Sequence, residues 1–133
     1  MSPITGGCLC GAVRYESRER PRVSTLCHCR SCRLGAGAPS VAWVVVPAEA
    51  FAFTAGEPGR YASSPGVERT FCRTCGTSLT YANEGRAEVD VTTASLDDPE
   101  AFPPTKEIFT AEHLGWEAHN PALPQFPGSS VAG

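Results

Sequence analysis

The stretch RTFCRTCGTSLTY, Arg69 to Tyr81, sets two cysteines two residues apart between two short runs rich in β-formers. Thiolates at Cys72 and Cys75 can grip one metal ion while backbone N–H groups of the intervening turn donate to the sulfurs. The following Gly76 permits the positive φ that closes such a turn. The stretch therefore predicts strand, metal knuckle, strand.

Working outward, the other apolar runs have the same character. AVRYE (12–16), STLCH (24–28), SVAWVVV (40–46), AFAFT (50–54), RTFC (69–72), SLTYA (78–82) and AEVDVTT (87–93) read as strands. AGEPG (55–59), SSPG (63–66) and NEG (83–85) read as the turns between them. No long 3.6-residue apolar period exists. Helix is confined to a turn or two through RSCRLG after Cys29 and a short turn or helix in SLDDPEAF (95–102). This predicts a mostly β chain of antiparallel sheets with short connections. It is read as one domain over 1–133, with a frayed Pro/Gly/Ser-rich tail at 127–133.

Seven cysteines are many, and an odd number suits metal binding better than a disulfide framework. The N-terminal MSPITGG lacks the charged flank and apolar core of an export signal, and no run of about twenty apolar residues is present. A soluble, cytoplasmic protein is expected, with no membrane partner. Ten Arg and one Lys against fourteen acidic residues give a net charge of −3, without the cationic excess of a nucleic-acid surface. Oligomeric state is not legible.

The remaining cysteines divide by spacing. Cys8-Leu-Cys10-Gly11 resembles the Cys72/Cys75 knuckle, and the two pairs together complete a closed four-sulfur zinc site. Cys27, Cys29 and Cys32 are left to hold a second zinc with one position open, as catalytic zinc sites have. Other readings of the triplet stand beside this one. His28, His113 or His119 would close it; two of its cysteines would cycle as a redox dithiol; or it would hold no metal. Extended backbone around His28 would point its ring away from the flanking sulfurs. Arg30, Arg33, Arg69 and Arg73 lie near the ligands and are candidates to offset thiolate charge or to anchor carboxylates of a small acidic thiol. Trp43 and Trp116 read as core or pocket-wall residues.

GGCLCGAVRYE (6–16), CHCRSCRLGAGAPSVAWVVVP (27–47), RTFCRTCGTSLTY (69–81) and the closing EIFTAEHLGWEAHNPALPQF (107–126) resemble, in order and spacing, the glutathione-dependent formaldehyde-activating enzyme family, which also contains a centromere-protein-V branch. The resemblance implies a β-tent fold of small antiparallel sheets around a structural zinc at Cys8, Cys10, Cys72 and Cys75. It implies a catalytic zinc, more labile, at Cys27, Cys29 and Cys32. The implied activity is that of a carbon–sulfur lyase or synthase on a small thiol adduct, such as glutathione plus formaldehyde giving S-hydroxymethylglutathione. A non-catalytic zinc-binding interaction module and a thiol redox protein are the alternatives. The closing segment departs from the family pattern at Glu107, where a histidine often stands.

Overall fold

The computed structural model describes residues 3–129. Ten strands run in chain order: β1 (Ile4–Gly7), β2 (Arg14–Ser17), β3 (Val23–Cys27), β4 (Val41–Pro47), β5 (Phe51–Ala55), β6 (Gly59–Ser64), β7 (Val67–Phe71), β8 (Ser78–Asn83), β9 (Glu88–Thr92) and β10 (Glu107–Ile108). One α-helix, α1 (Arg30–Ala36), lies between β3 and β4. The strands form a three-stranded sheet, β1-β2-β5, and a seven-stranded sheet ordered β10-β3-β4-β9-β8-β7-β6. The mostly β architecture of antiparallel sheets is as the sequence implies, with one parallel pair, β10 on β3.

The run SVAWVVV becomes β4, the strand on which the interior is organised. Successive side chains of a strand face opposite ways, so an unbroken apolar run marks a strand buried on both faces. Val44 and Val46 enter the main core with Tyr15, Leu79, Val89, Val91 and Leu96, which joins the two sheets. Val41 and Trp43 point the other way, into a second cluster with Cys27 and Cys32. Opposite Leu79 the β7–β8 register shifts between Thr70 and Phe71. That irregularity lets Leu79 and Ala82 both pack on the main core while Tyr81 packs on the second cluster.

Three strands lie outside the sequence-based set. β1 carries two glycines, and Gly6 is needed for close approach: a Cβ there would sit 2.3 Å from the Tyr15 hydroxyl and 2.6 Å from the Ser95 carbonyl oxygen. β6 is an edge strand, exposed from Arg60 to Ser64, so no burial pattern betrays it. The expected turn at 63–66 is the hairpin joining β6 to β7, with Gly66 at φ 76°. β10 spans only two residues. At 95–102 the chain makes short 3-10 turns, Thr93–Ser95 and Pro99–Ala101. In the tail, the carbonyls of Pro127 and Gly128 accept from Ala111 and Phe109 N–H, while residues 130–133 lie outside the described residues.

Candidate metal centres and cleft

The two cysteine pairs with a trailing glycine sit at equivalent hairpin turns. Cys8 and Cys10 occupy the β1–β2 connection, and Cys72 and Cys75 the β7–β8 connection. Each turn is closed by the glycine N–H, Gly11 to the Cys8 carbonyl at 3.1 Å and Gly76 to the Cys72 carbonyl at 2.8 Å. Both glycines take positive φ, 81° and 84°. The four sulfurs lie within 4.8 Å of one another, with Cys8–Cys10 at 3.6 Å and Cys10–Cys72 at 3.8 Å.

The donors around these sulfurs suit a bound cation. Val13 N–H donates to Cys8 Sγ, and Thr74 and Cys75 N–H donate to Cys72 Sγ, at 3.3–3.4 Å. Such bonds stabilise thiolates, the form that ligates metal. The Thr77 hydroxyl, followed by its backbone N–H, holds the Cys75 thiol down to about 5. Leu9 N–H to Thr77 Oγ1 at 3.0 Å ties one turn to the other.

The triplet is built at the β3–α1 junction. Cys27 ends β3, Cys29 caps α1 and accepts the Cys32 N–H at 3.3 Å, and Cys32 sits in the first helical turn. Residues at N-cap and N3 share one side of a helix entrance, so the local fold itself converges the sulfurs. All three lie within 4.8 Å of one another, and no histidine joins the group among the described residues. Cys27 and Cys32 are buried, and Cys29 is half-buried. Hydrogen bonds from Cys27, then Cys32, hold Cys29 down to about 2, with Arg69 contributing; Cys27 is correspondingly pushed up.

A cleft of about 560 Å³ opens on the triplet, with Trp43, Tyr81 and Phe109 among its walls. That size and mixture suit a small-molecule site. Of the four arginines singled out from sequence, Arg69 alone lines it. Its guanidinium lies 4.9 Å from the Tyr81 ring centroid, its Nε donates to Ser63 Oγ at 3.2 Å, and it forms no ion pair among the described residues. Arg30 instead presents its backbone N–H to Glu112, at 3.1 Å. Lys106 and Arg86 also line the cleft, and proximity to cysteine in sequence could not find them. Arg86 is committed to Asp90 at 3.0 Å and Glu88 at 3.5 Å. The segment GAGAP (35–39) ends α1, with Gly37 as the left-handed cap at φ 63°, and lies outside the cleft lining. Trp116, expected as core or wall, is 75% exposed.

His28, between two of the triplet cysteines, turns its ring away from them to Glu107 at 2.6 Å. His113 and His119 meet its ring edge-on rather than lying at the sulfurs. Glu107 sits fully buried, a position sequence reasoning marked only as a departure from pattern.

Residues 3–112, spanning both cysteine pairs and the triplet, match the family described as glutathione-dependent formaldehyde-activating enzyme. The chain belongs to that family. Over 83 residues it is 36% identical to a Schizosaccharomyces pombe protein named an uncharacterized lyase; the match covers 62% of this chain and 59% of that relative. A crystal structure of a Rhodobacter sphaeroides protein shares the fold, with a TM-score of 0.60 and 24% identity over 70% of this chain and 87% of that one. Among the described residues, no helix of this family member is long and apolar enough to cross a membrane.

Proposed function

We propose that the protein is a zinc-dependent carbon–sulfur lyase or synthase acting on a small thiol adduct, with glutathione and formaldehyde giving S-hydroxymethylglutathione as the reference pair. The observation that carries this reading is the cleft opening on three convergent sulfurs with no fourth protein ligand among the described residues. In this reading Cys8, Cys10, Cys72 and Cys75 hold a structural zinc, and Cys27, Cys29 and Cys32 hold the reactive one.

Cys27, Cys29 and Cys32 would hold the zinc, which would supply Lewis acidity to lower the pKa of a substrate thiol. The chain's own residues supply the rest. Arg69, which forms no ion pair among the described residues, is placed to pair with a carboxylate of the thiol. Trp43, Tyr81 and Phe109 narrow the cleft and exclude water from the reacting atoms. Holding sulfur and aldehyde together removes the entropic cost of their encounter. In the forward direction the S–C bond forms, the thiol proton is lost, and the aldehyde oxygen takes up a proton to become the hydroxyl. Such chemistry requires a compartment that keeps the thiols reduced, as the cytoplasm does.

Changing Cys27, Cys29 and Cys32 together to Ser tests the assignment. The variant should stay folded, its zinc content should fall from two ions per chain to one, and acceleration of glutathione–formaldehyde exchange, followed by NMR, should disappear. A zinc-replete wild-type protein that leaves the exchange rate at its buffer value rules out this substrate pair.

A further inference from the structure

The deepest charged group in the molecule is not at either cysteine cluster. Glu107, on β10, has no exposed surface, and neither has His28. Glu107 Oε1 accepts from His28 Nε2 at 2.6 Å and faces His119 Nδ1 at 3.3 Å. Its other oxygen accepts from Asn120 N–H at 2.7 Å and Gln125 Nε2 at 2.9 Å. Burial opposes the charge, but the Gln125, His28, Asn120 and His119 donors outweigh it and hold the carboxyl down to about 2.

We propose that His28 Nε2, Glu107 Oε1 and His119 Nδ1 form a further divalent-cation site, with a nitrogen–nitrogen–oxygen donor set suited to zinc, cobalt(II) or nickel(II) and distinct from both cysteine clusters.

The three atoms lie within 4.8 Å of one another. Ligands at tetrahedral zinc are about 3.4 Å apart, which the Glu107–His119 separation already matches; His28 has to withdraw from Glu107 by less than about 1 Å. The half of the carboxylate turned away from the imidazoles is fixed by Asn120 and Gln125, the kind of support that orients a ligating carboxylate. Charge points the same way. A carboxylate wholly out of solvent is a favourable partner for a bound cation. His119 is one-third exposed, giving an ion a route in. His113, 3.9 Å from His119 between ring centroids, packs the imidazole in place. The donor set differs from thiolates in softness, so the site selects metal independently of the cysteine clusters.

The test adds cobalt(II) to protein carrying two equivalents of zinc, which the thiolate clusters take first, with bound metal counted and histidine resonances followed by NMR. One equivalent of cobalt beyond the zinc should bind, shifting the His28 and His119 resonances without thiolate-to-cobalt charge-transfer absorption. His119→Ala, at a partly exposed position, and Glu107→Gln should each weaken that binding at least about tenfold while zinc content is unchanged. Should Glu107→Gln fail to fold, His119→Ala carries the test. Equal cobalt affinity in wild type and His119→Ala overturns the proposal. So does a spectrum in which saturating cobalt leaves both imidazoles unshifted. None of these readouts depends on thiol exchange, so the site and the proposed enzyme activity stand or fall separately.

Discussion

Replacing both Cys8 and Cys10 by Ser unties the β1–β2 turn from the β7–β8 turn. The two turns are separated by 62 residues of sequence, from Cys10 to Cys72. A metal bridging them, as proposed, would close that loop as a disulfide does. The chain-entropy relation for a loop of that length gives about 4 kcal/mol at room temperature. With about 2.1 cal/mol/K of unfolding entropy per residue, a chain of 133 residues converts that loss into a fall of about 15 °C in Tm. Ser preserves the size of each side chain and can still accept the Val13 N–H, so the lost bridge dominates the change. Calorimetry on the zinc-replete wild type and double variant measures the difference, with a chelator titration on each. The wild type should lose a comparable amount on chelation and the variant much less. A variant melting within two or three degrees of zinc-replete wild type would refute the bridge and leave the four sulfurs as mere neighbours.

Arg69→Ala should weaken glutathione binding at least about tenfold, the loss expected for a charged hydrogen bond to carboxylate. It should leave a thiol without a carboxylate, such as 2-mercaptoethanol, unaffected; equal effects on both thiols would remove Arg69 from substrate recognition. Gly6→Ala should destabilise the fold by about 1–3 kcal/mol, since the added methyl meets a backbone carbonyl that cannot swing aside. Urea denaturation reads that change, and an unchanged midpoint would mean that β1 is free to shift.

Much of the site could be read from the sequence because its information is local. The triplet spans six residues, and a helix entrance brings them together whatever the remainder of the chain does. The paired knuckles repeat a cysteine–glycine turn whose positive φ the glycines announce. Strand β4 was legible because burial on both faces leaves an unbroken apolar run. Where position depends on distant chain, the signal vanishes. Glu107 reaches His28 across 79 residues through a parallel strand two residues long, too short for any periodicity. Edge strand β6 has no buried face to pattern, and the β1 glycines imitate a turn. Lys106 and Arg86 enter the cleft from connecting loops and carry no cysteine beside them. Trp116 misled because aromatic bulk argues for burial only where other elements arrive to cover it.

The two cysteine clusters also differ in when they can exist. The triplet is complete once residue 32 has left the ribosome, before β4 is available to bury it. Cys8 and Cys10 emerge earlier still but must wait for Cys72 and Cys75. During that interval five thiols share a short, unfolded segment, and an ion captured across Cys8, Cys10 and the triplet would cross-link the wrong turns.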